Sequence, residues 1–365
     1  MNKKRILHVV GARPNFMKIA PIMREMANYQ ERFEQMLVHT GQHYDANMSQ
    51  IFFEELEMPR PDINLEIGSA SHALQTAQIM QKFEAVLMDY KPDWILVPGD
   101  VNSTIACALV ASKLGVKIAH VEAGLRSFDR TMPEEINRVL TDQISDLLLT
   151  PSKDADENLM REGVAPAKIR FVGNVMIDTL VRLMPKAEIR WPKLRDEYQL
   201  DRYILVTLHR PSNVDDQGTL EEIMSAVTEI SEHIPVLFPV HPRTRNMISN
   251  LKRNPRNSQL ILTEPKGYLD FLALQMKATL LLTDSGGIQE ETTYLGIPCL
   301  TARPNTERPV TITNGTNQLV ESRATALLNA IERVLNNDHD RMEKQLPDLW
   351  DGKTAVRIAH CLFEK

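Results

Sequence analysis

Short apolar, β-branched runs alternate with longer helix-patterned segments along this chain, and that alternation limits its possible folds more than any other feature. The first half predicts strands at Arg5–Val10, Gln35–His39, Asp93–Pro98, Val116–Val121, Leu147–Thr150 and Ile169–Val172. The second half adds Tyr203–Leu208, Pro235–Val240, Gln259–Leu262, Thr279–Thr283 and Ile297–Leu300. Helical spacing runs over His72–Tyr90, Ser103–Leu114, Leu220–Glu232 and Thr244–Lys252. Strands that are apolar on both faces, each followed by a helix, imply parallel sheets covered on both sides.

Eleven such runs suit two sheets better than one. The fold class is therefore α/β, with two Rossmann-like doubly wound domains facing a cleft; a single α/β barrel is the competitor. Pro185, Pro192 and the charged run Lys186–Arg195 interrupt the rhythm across Met176–Arg202 and mark the boundary. The expected division is 1–175, 176–345, and a terminal piece, 346–365, whose amphipathic Thr354–Phe363 docks back on the first domain.

A chain of 365 residues, 43% of them hydrophobic, is long enough for two cores. Its net charge of −6 disfavours nucleic acid or an anionic membrane as the main partner, so any bound anion needs a local basic pocket. The basic start, Lys3-Lys4-Arg5, precedes an apolar run too short for a signal peptide, and no stretch is long enough to span a membrane. Cys107, Cys299 and Cys361 have neither metal-ligand nor disulfide spacing. A cytoplasmic protein is expected.

Polar residues gather where strands end and helices begin, the ligand edge of a doubly wound sheet. Gly11-Ala12-Arg13-Pro14-Asn15-Phe16-Met17-Lys18 follows the first strand; its glycine and cations suit an anion, but an ordinary turn with surface cations suits the pattern better. Asp100 ends Val97-Pro98-Gly99-Asp100, and helix capping explains it as well as chemistry does. The densest stretch, His120–Arg138, holds Glu122, Glu134 and Glu135 among Arg126, Arg130 and Arg138. A capping box of Thr131 and Glu134 is the plain alternative for its later acids. Three acids at neighbouring element ends are explained more economically by one pocket.

The second half repeats the arrangement. His209-Arg210-Pro211 and His241-Pro242-Arg243 end neighbouring strands and suit negative charge, although one such histidine alone is usually structural. Thr283-Asp284-Ser285-Gly286-Gly287 opens a helix whose start offers backbone N–H groups to phosphate. Glu291, one turn further, is placed to accept from ribose hydroxyls, and Arg308 in Thr306-Glu307-Arg308-Pro309 adds a cation. A capped tight turn is the alternative.

Together GARPNFMK, VPGD, HVEAGLR, PEEINR, LHR, HPR, TDSGGIQEE and TERP strongly resemble the non-hydrolysing UDP-N-acetylglucosamine 2-epimerases, in order from about Arg5 to Arg308. The resemblance implies a glycosyltransferase-B-like pair of Rossmann domains and a homodimer using neither metal nor nicotinamide. It implies interconversion of UDP-GlcNAc and UDP-ManNAc, which supplies activated ManNAc for surface polysaccharide synthesis. By motif, Asp100, Glu122, Glu134 and His209 fall on catalytic positions. Arg13, Lys18 and Arg138 fall around the diphosphate and sugar. His241, Phe271, Ser285, Gly286, Gly287, Glu291 and Arg308 fall around the uridine, ribose and phosphates. Two departures stand out. Asn15 replaces an acid common in the family. Gln42-His43-Tyr44-Asp45 and Ile67-Gly68-Ser69-Ala70 lack the pattern and arginine of members activated by a second UDP-GlcNAc, so such activation is expected to be weak or absent.

The C2 proton of an N-acetylhexosamine is barely acidic, and no nicotinamide motif offers a neighbouring ketone. The remaining route expels UDP from C1 as C2 loses its proton, leaving a 2-acetamidoglucal, and reverses on the other face. It needs two acid/base groups and cations for the departing diphosphate. Crowded carboxylates supply the first by splitting their pKa values. A hydrolysing 2-epimerase, a glycosyltransferase of the same fold, an epimerase for a modified UDP-sugar and a UDP-sugar sensor are the alternatives.

Overall fold

In the computed structural model, which describes residues 3–41, 53, 55–249, 259–336 and 345–364, the apolar runs become two parallel sheets. Among the described residues the first sheet comprises β1 (Lys4–Val10), β2 (Phe33–His39), β3 (Ile63–Asn64), β4 (Trp94–Pro98), β5 (Lys117–Val121), β6 (Leu147–Thr150) and β7 (Ile169–Phe171), in the order β3-β2-β1-β4-β5-β6-β7. The second comprises β8 (Ile204–Thr207), β9 (Val236–Pro239), β10 (Leu260–Thr263), β11 (Leu280–Thr283), β12 (Cys299–Ala302) and β13 (Asn317–Val320), ordered β10-β9-β8-β11-β12-β13. Every pairing is parallel, as in β4 against β5, where Trp94 faces Lys117 and Pro98 faces Val121. Both orders reverse direction after the first strand, so each sheet has a switch point, between β1 and β4 and between β8 and β11. The fold is α/β with two Rossmann-like domains.

β3 and β13 went unpredicted. One is two residues long and the other begins Asn317-Gln318, so neither presents an apolar run. The interrupted middle is helical. Val175–Tyr198 is a single helix through Pro185 and Pro192. Leu183, Ala187 and Leu194 form a buried stripe along it, and both prolines lie on its exposed side. The run is periodic after all.

Two compact units result, Met1–Arg182 with Asp348–Lys365, and Leu183–Pro347. The first has a core of Leu7, Val9, Ile79, Phe83, Ile95, Val97 and Ile118, from sheet and helices. Its terminal helix Thr354–Glu364 packs on the helix Arg13–Ala27: Lys4 Nζ donates to Leu362 O at 2.8 Å, and the Phe33 and Phe363 rings stack at 4.7 Å. Asp178 caps that helix, accepting from Thr354 N at 3.1 Å and Ala355 N at 2.7 Å. Ile204, Val206, Phe238, Leu280, Leu282 and Leu327 are central to the second core. Among the described residues no helix is long and apolar enough to cross a membrane.

Candidate functional site

In the first unit, polar groups collect beyond the C-terminal ends of β1, β4 and β5. Gly11 follows β1 because a side chain has no room there: a Cβ would lie 2.1 Å from Ser103 Oγ and 2.6 Å from Thr40 Oγ1. Asn15 closes this turn. Its Oδ1 accepts from Gly11 N and Ala12 N, both at 3.0 Å, and its Nδ2 donates to Pro98 O at 3.1 Å. These two amides are therefore engaged within the fold, and the cations are what this turn offers to an anion. A carboxylate at 15 would lack the donor that reaches Pro98. Arg13 lies exposed at the helix start.

Lys18, one turn into that helix, is buried and ion-paired with Glu122. Glu122 follows β5 in left-handed backbone conformation, φ 72°. Its N–H donates to Leu149 O at 3.0 Å, which holds it there. A non-glycine residue in this region stores strain of about 1–2 kcal/mol, typical of functional positions. Asp100 follows β4 and pairs with Arg138, which also pairs with Glu135. The Asp100 carbonyl accepts from Asn137 Nδ2 at 2.9 Å.

The capping explanations do not hold. The helix after Asp100 has Val101 as its N-cap, without a side-chain cap. Thr131 N and Oγ1 bond Asp129 Oδ1 at 3.0 and 2.6 Å, and the helix Pro133–Ile144 starts from Met132. Glu134 stands half-buried in its first turn. Glu135 points inward instead, accepting from Ser127 N at 3.0 Å, Ser127 Oγ at 2.9 Å and Phe128 N at 2.8 Å. Burial pushes the Glu135 carboxyl up, but these donors and Arg138 outweigh it and hold it below the usual carboxylate range. Glu135 therefore stays ionised and orders the loop that connects Glu122 to the helix.

The second unit is organised by Asp284, a residue that sequence reasoning passed over. Fully buried at the end of β11, it accepts from His209 N at 3.1 Å, Arg210 N at 3.0 Å and Asn213 Nδ2 at 3.0 Å. Its carboxylate also meets His209 Nδ1 at 2.8 Å, while the His209 side chain is 61% exposed. Burial raises the Asp284 pKa, and the His209 and backbone contacts bring it below normal. One ring nitrogen is thus fixed, and Nε2 is the one left to meet a ligand.

The helix Gly286–Leu295 starts at Ser285 without a side-chain cap. Its first-turn N–H groups form the kind of helix start that binds anions. Gly286 is required there: a Cβ would lie 2.5 Å from Arg308 Nη1 and 2.8 Å from Glu307 Oε1. Gly287, like Ser285, is half-buried. Arg308 Nε contacts Glu290 at 2.7 Å, and its Nη1 pairs with Glu307. Glu291 is buried, accepts from Tyr268 Oη at 2.9 Å, and is pushed up to about 7 by burial. Phe271 is half-buried, and His241 is exposed just beyond β9.

Gln42–Asp45 lies outside the described residues; Gly68 of Ile67–Ala70 accepts at its carbonyl from Gln75 Nε2 at 2.9 Å. Among the described residues no cluster of three His, Cys, Asp or Glu could hold a metal ion.

A sequence model of the family described as UDP-N-acetylglucosamine 2-epimerase matches residues 25–363. A UDP-N-acetylglucosamine 2-epimerase of Methanococcus maripaludis is 44% identical over 358 residues, covering 96% of each chain. A UDP-2,3-diacetamido-2,3-dideoxy-D-glucuronate 2-epimerase of Pseudomonas aeruginosa is also 44% identical, over 98% of this chain and 99% of that protein. Among solved structures, the Methanocaldococcus jannaschii UDP-GlcNAc 2-epimerase in complex with UDP-GlcNAc and UDP superposes with a TM-score of 0.89 at 43% identity, covering 99% of this chain and 100% of that one.

Proposed function

Because this chain belongs to the UDP-N-acetylglucosamine 2-epimerase family, we propose that it interconverts UDP-GlcNAc and UDP-ManNAc without hydrolysis, through a 2-acetamidoglucal. The observation that carries this reading is the pair of carboxylates at adjacent strand ends. Asp100 follows β4 and Glu122 follows β5, and each is held by its own cation, Arg138 and Lys18. In the elimination a carboxylate takes the C2 proton, the C2–H electrons form the C1–C2 double bond, and UDP departs with the C1–O pair. Re-addition returns UDP to C1 while an acid on the opposite face protonates C2. Glu134, half-buried beside ionised Glu135, is the third acid of this set.

The nucleotide end is assigned to the second unit. The Ser285–Gly287 helix start, Arg308 and His209 Nε2 stabilise the diphosphate, where charge develops on departure. Arg13, exposed at the start of the first unit's helix, is a candidate cation on that unit's own ligand edge. Glu291, pushed up to about 7 and so able to donate as well as accept near neutrality, meets the ribose, and Phe271 and His241 flank the uridine.

A modified UDP-hexosamine is the second reading, favoured by the equal identity to the Pseudomonas diacetamido-glucuronate enzyme. In its tie to Pro98 and the Gly11 turn, Asn15 is a backbone brace, which leaves the sugar's recognition to its neighbours. We also assign a homodimer, since Ile136 and Leu140, one turn apart on one helix, are 43% and 49% exposed; light scattering at monomer mass would sink that assignment. Activation by a second UDP-GlcNAc is weak or absent in this reading, and sigmoidal UDP-ManNAc kinetics abolished by a trace of UDP-GlcNAc would refute it.

The test is proton and phosphorus NMR of UDP-GlcNAc with the protein in D₂O. Deuterium at C2 in an intact pool containing UDP-ManNAc is the expected result. Free sugar with UDP would mean hydrolysis. An unchanged pool, with turnover of the diacetamido-glucuronate nucleotide instead, would select the second reading.

A further inference from the structure

His120 sits within β5 with its ring fully buried, and both ring nitrogens face oxygen. Nε2 lies 2.7 Å from Gly99 O, and Nδ1 lies 2.6 Å from Asp142 Oδ1. A carbonyl only accepts, so Nε2 carries a proton. The second contact then needs one more proton shared between Nδ1 and the Asp142 carboxylate. Asp142 is buried too, and its other oxygen accepts from Gly124 N at 3.1 Å and pairs with Arg126 Nη1 at 2.7 Å. Arg126 in turn bonds Glu162 through Nε at 2.8 Å and Nη2 at 2.7 Å.

The two backbone groups reached by this chain of contacts matter most. Gly99 immediately precedes Asp100, and Gly124 comes two residues after Glu122. Gly99, Glu122 and Gly124 all have left-handed backbone, at φ 65°, 72° and 82°. On its far side Gly124 is equally confined: Asn158 Nδ2 donates to its carbonyl at 3.0 Å, and a Cβ would lie 2.5 Å from Ala155 O. Turns of this conformation persist only where their surroundings over-determine them. One buried His–Asp pair supplies that restraint to both.

We propose that His120 and Asp142 form a positioning pair whose hydrogen bonds pin the Gly99 and Gly124 turns and so set the placement of Asp100 against Glu122. The inference rests on the epimerase reading only for its effect on rate. Neither residue touches the reacting sugar. The pair acts through the backbone of the two acid-bearing turns, where a displacement of about 1 Å costs on the order of 10²-fold in turnover.

Three variants separate the contacts. In H120Q the amide N–H takes the place of Nε2 and still reaches Gly99. In H120N the amide mimics Nδ1 and loses Gly99. D142N supplies an amide donor to a neutral ring that keeps its Nε2 proton, so both turns stay held. The expected order of kcat is D142N, then H120Q, then H120N, with H120N down about 10²-fold and KM changed less than about threefold. Hydrogen exchange, read without substrate, is expected to accelerate in the peptide spanning 98–102 of H120N and in 122–126 of H120Q, which loses Asp142, and to stay near wild type in D142N. A strongly deshielded Nδ1 proton resonance is expected in the wild type and absent from H120Q. Unchanged exchange at 98–102 of H120N, or H120N turning over as fast as H120Q, would overturn the proposal. If wild type shows no exchange at C2, the epimerase reading fails by itself, and the exchange and proton spectra still judge the pair. Should H120N not fold, a D142N that is unfolded or slower than H120Q would overturn it in turn.

Discussion

The two strand edges share a topology and differ in how their charges are settled. In the first unit Lys18 meets Glu122, Arg138 bridges Asp100 and Glu135, and Asp142 joins His120 to Arg126. In the second, buried Asp284 accepts the backbone N–H groups of the loop after β8, Arg308 pairs with Glu290 and Glu307, and the neighbouring helix starts without a side-chain cap. The first edge is organised to fix which acids are charged. The second is organised to receive charge from outside. In the proposed reading, two copies of one fold divide proton transfer from anion binding, a division of site and not of scaffold.

Lys18→Met tests the first side of that contrast most severely. Removing the ammonium beside buried Glu122 is expected to cost about 3 kcal/mol, because breaking a buried pair costs more than the pair contributes. Denaturant unfolding measures it. A midpoint unchanged within error would mean that Glu122 is not restrained by charge.

Glu122→Gln keeps the shape and an acceptor but leaves the buried Lys18 ammonium without its counter-charge, so stability should fall here too, while turnover falls on the order of 10²-fold or more. UDP affinity, measured by calorimetry, should stay near wild type if the labour is divided as described. Near-wild-type turnover would remove Glu122 from the reaction.

The second unit is probed by Gly286→Ala. The added methyl would lie 2.5 Å from Arg308 Nη1, so the guanidinium must move. Such crowding costs about 1–3 kcal/mol, and UDP affinity is expected to drop roughly tenfold. The proposed elimination acids of the first unit are untouched, so turnover at saturating substrate should change far less than affinity. A loss confined to kcat would blur the contrast.

These variants also mark what the chain discloses before it folds. Asp100 and Glu122 were legible because an acid ending an apolar run sits at the ligand edge of any doubly wound sheet. The apolar runs themselves gave most strands to within one or two residues, since burial on both faces leaves no polar alternation to confuse. Glu135 was visible but ambiguous beside Glu134, and only the helix start at Met132 decides which of the two turns inward. Asp284 and Asp142 were not legible: their partners lie 75 and 22 residues away, and no local period carries such pairings. The helix through Pro185 and Pro192 shows the reverse error, in which a strong local signal yields to a buried stripe one turn away.

The smallest effect separates the two edges by pH. Glu135 is held ionised below the usual carboxylate range, whereas Glu291 is pushed up to about 7 by burial from an ordinary 4.5. Between those two values the unfolded chain has released the Glu291 proton and the folded chain still holds it. Stability from this group therefore falls as pH rises from about 4.5 to 7, by at most about 1.4 kcal/mol per pH unit. Glu291→Gln cannot ionise and still accepts from Tyr268, so its difference from wild type should grow in its favour across that window. His8, lowered to about 4 by burial, works in the opposite direction: it loses stability as pH falls from 6.5 toward 4. Asp178, raised to about 6, loses stability as pH rises from 3.8 to that value. Both act equally in the two proteins and cancel in the difference. Parallel stability curves for wild type and Glu291→Gln from pH 4.5 to 7 would show that Glu291 titrates as an ordinary acid, and the second edge would then hold the ribose with a carboxylate already charged.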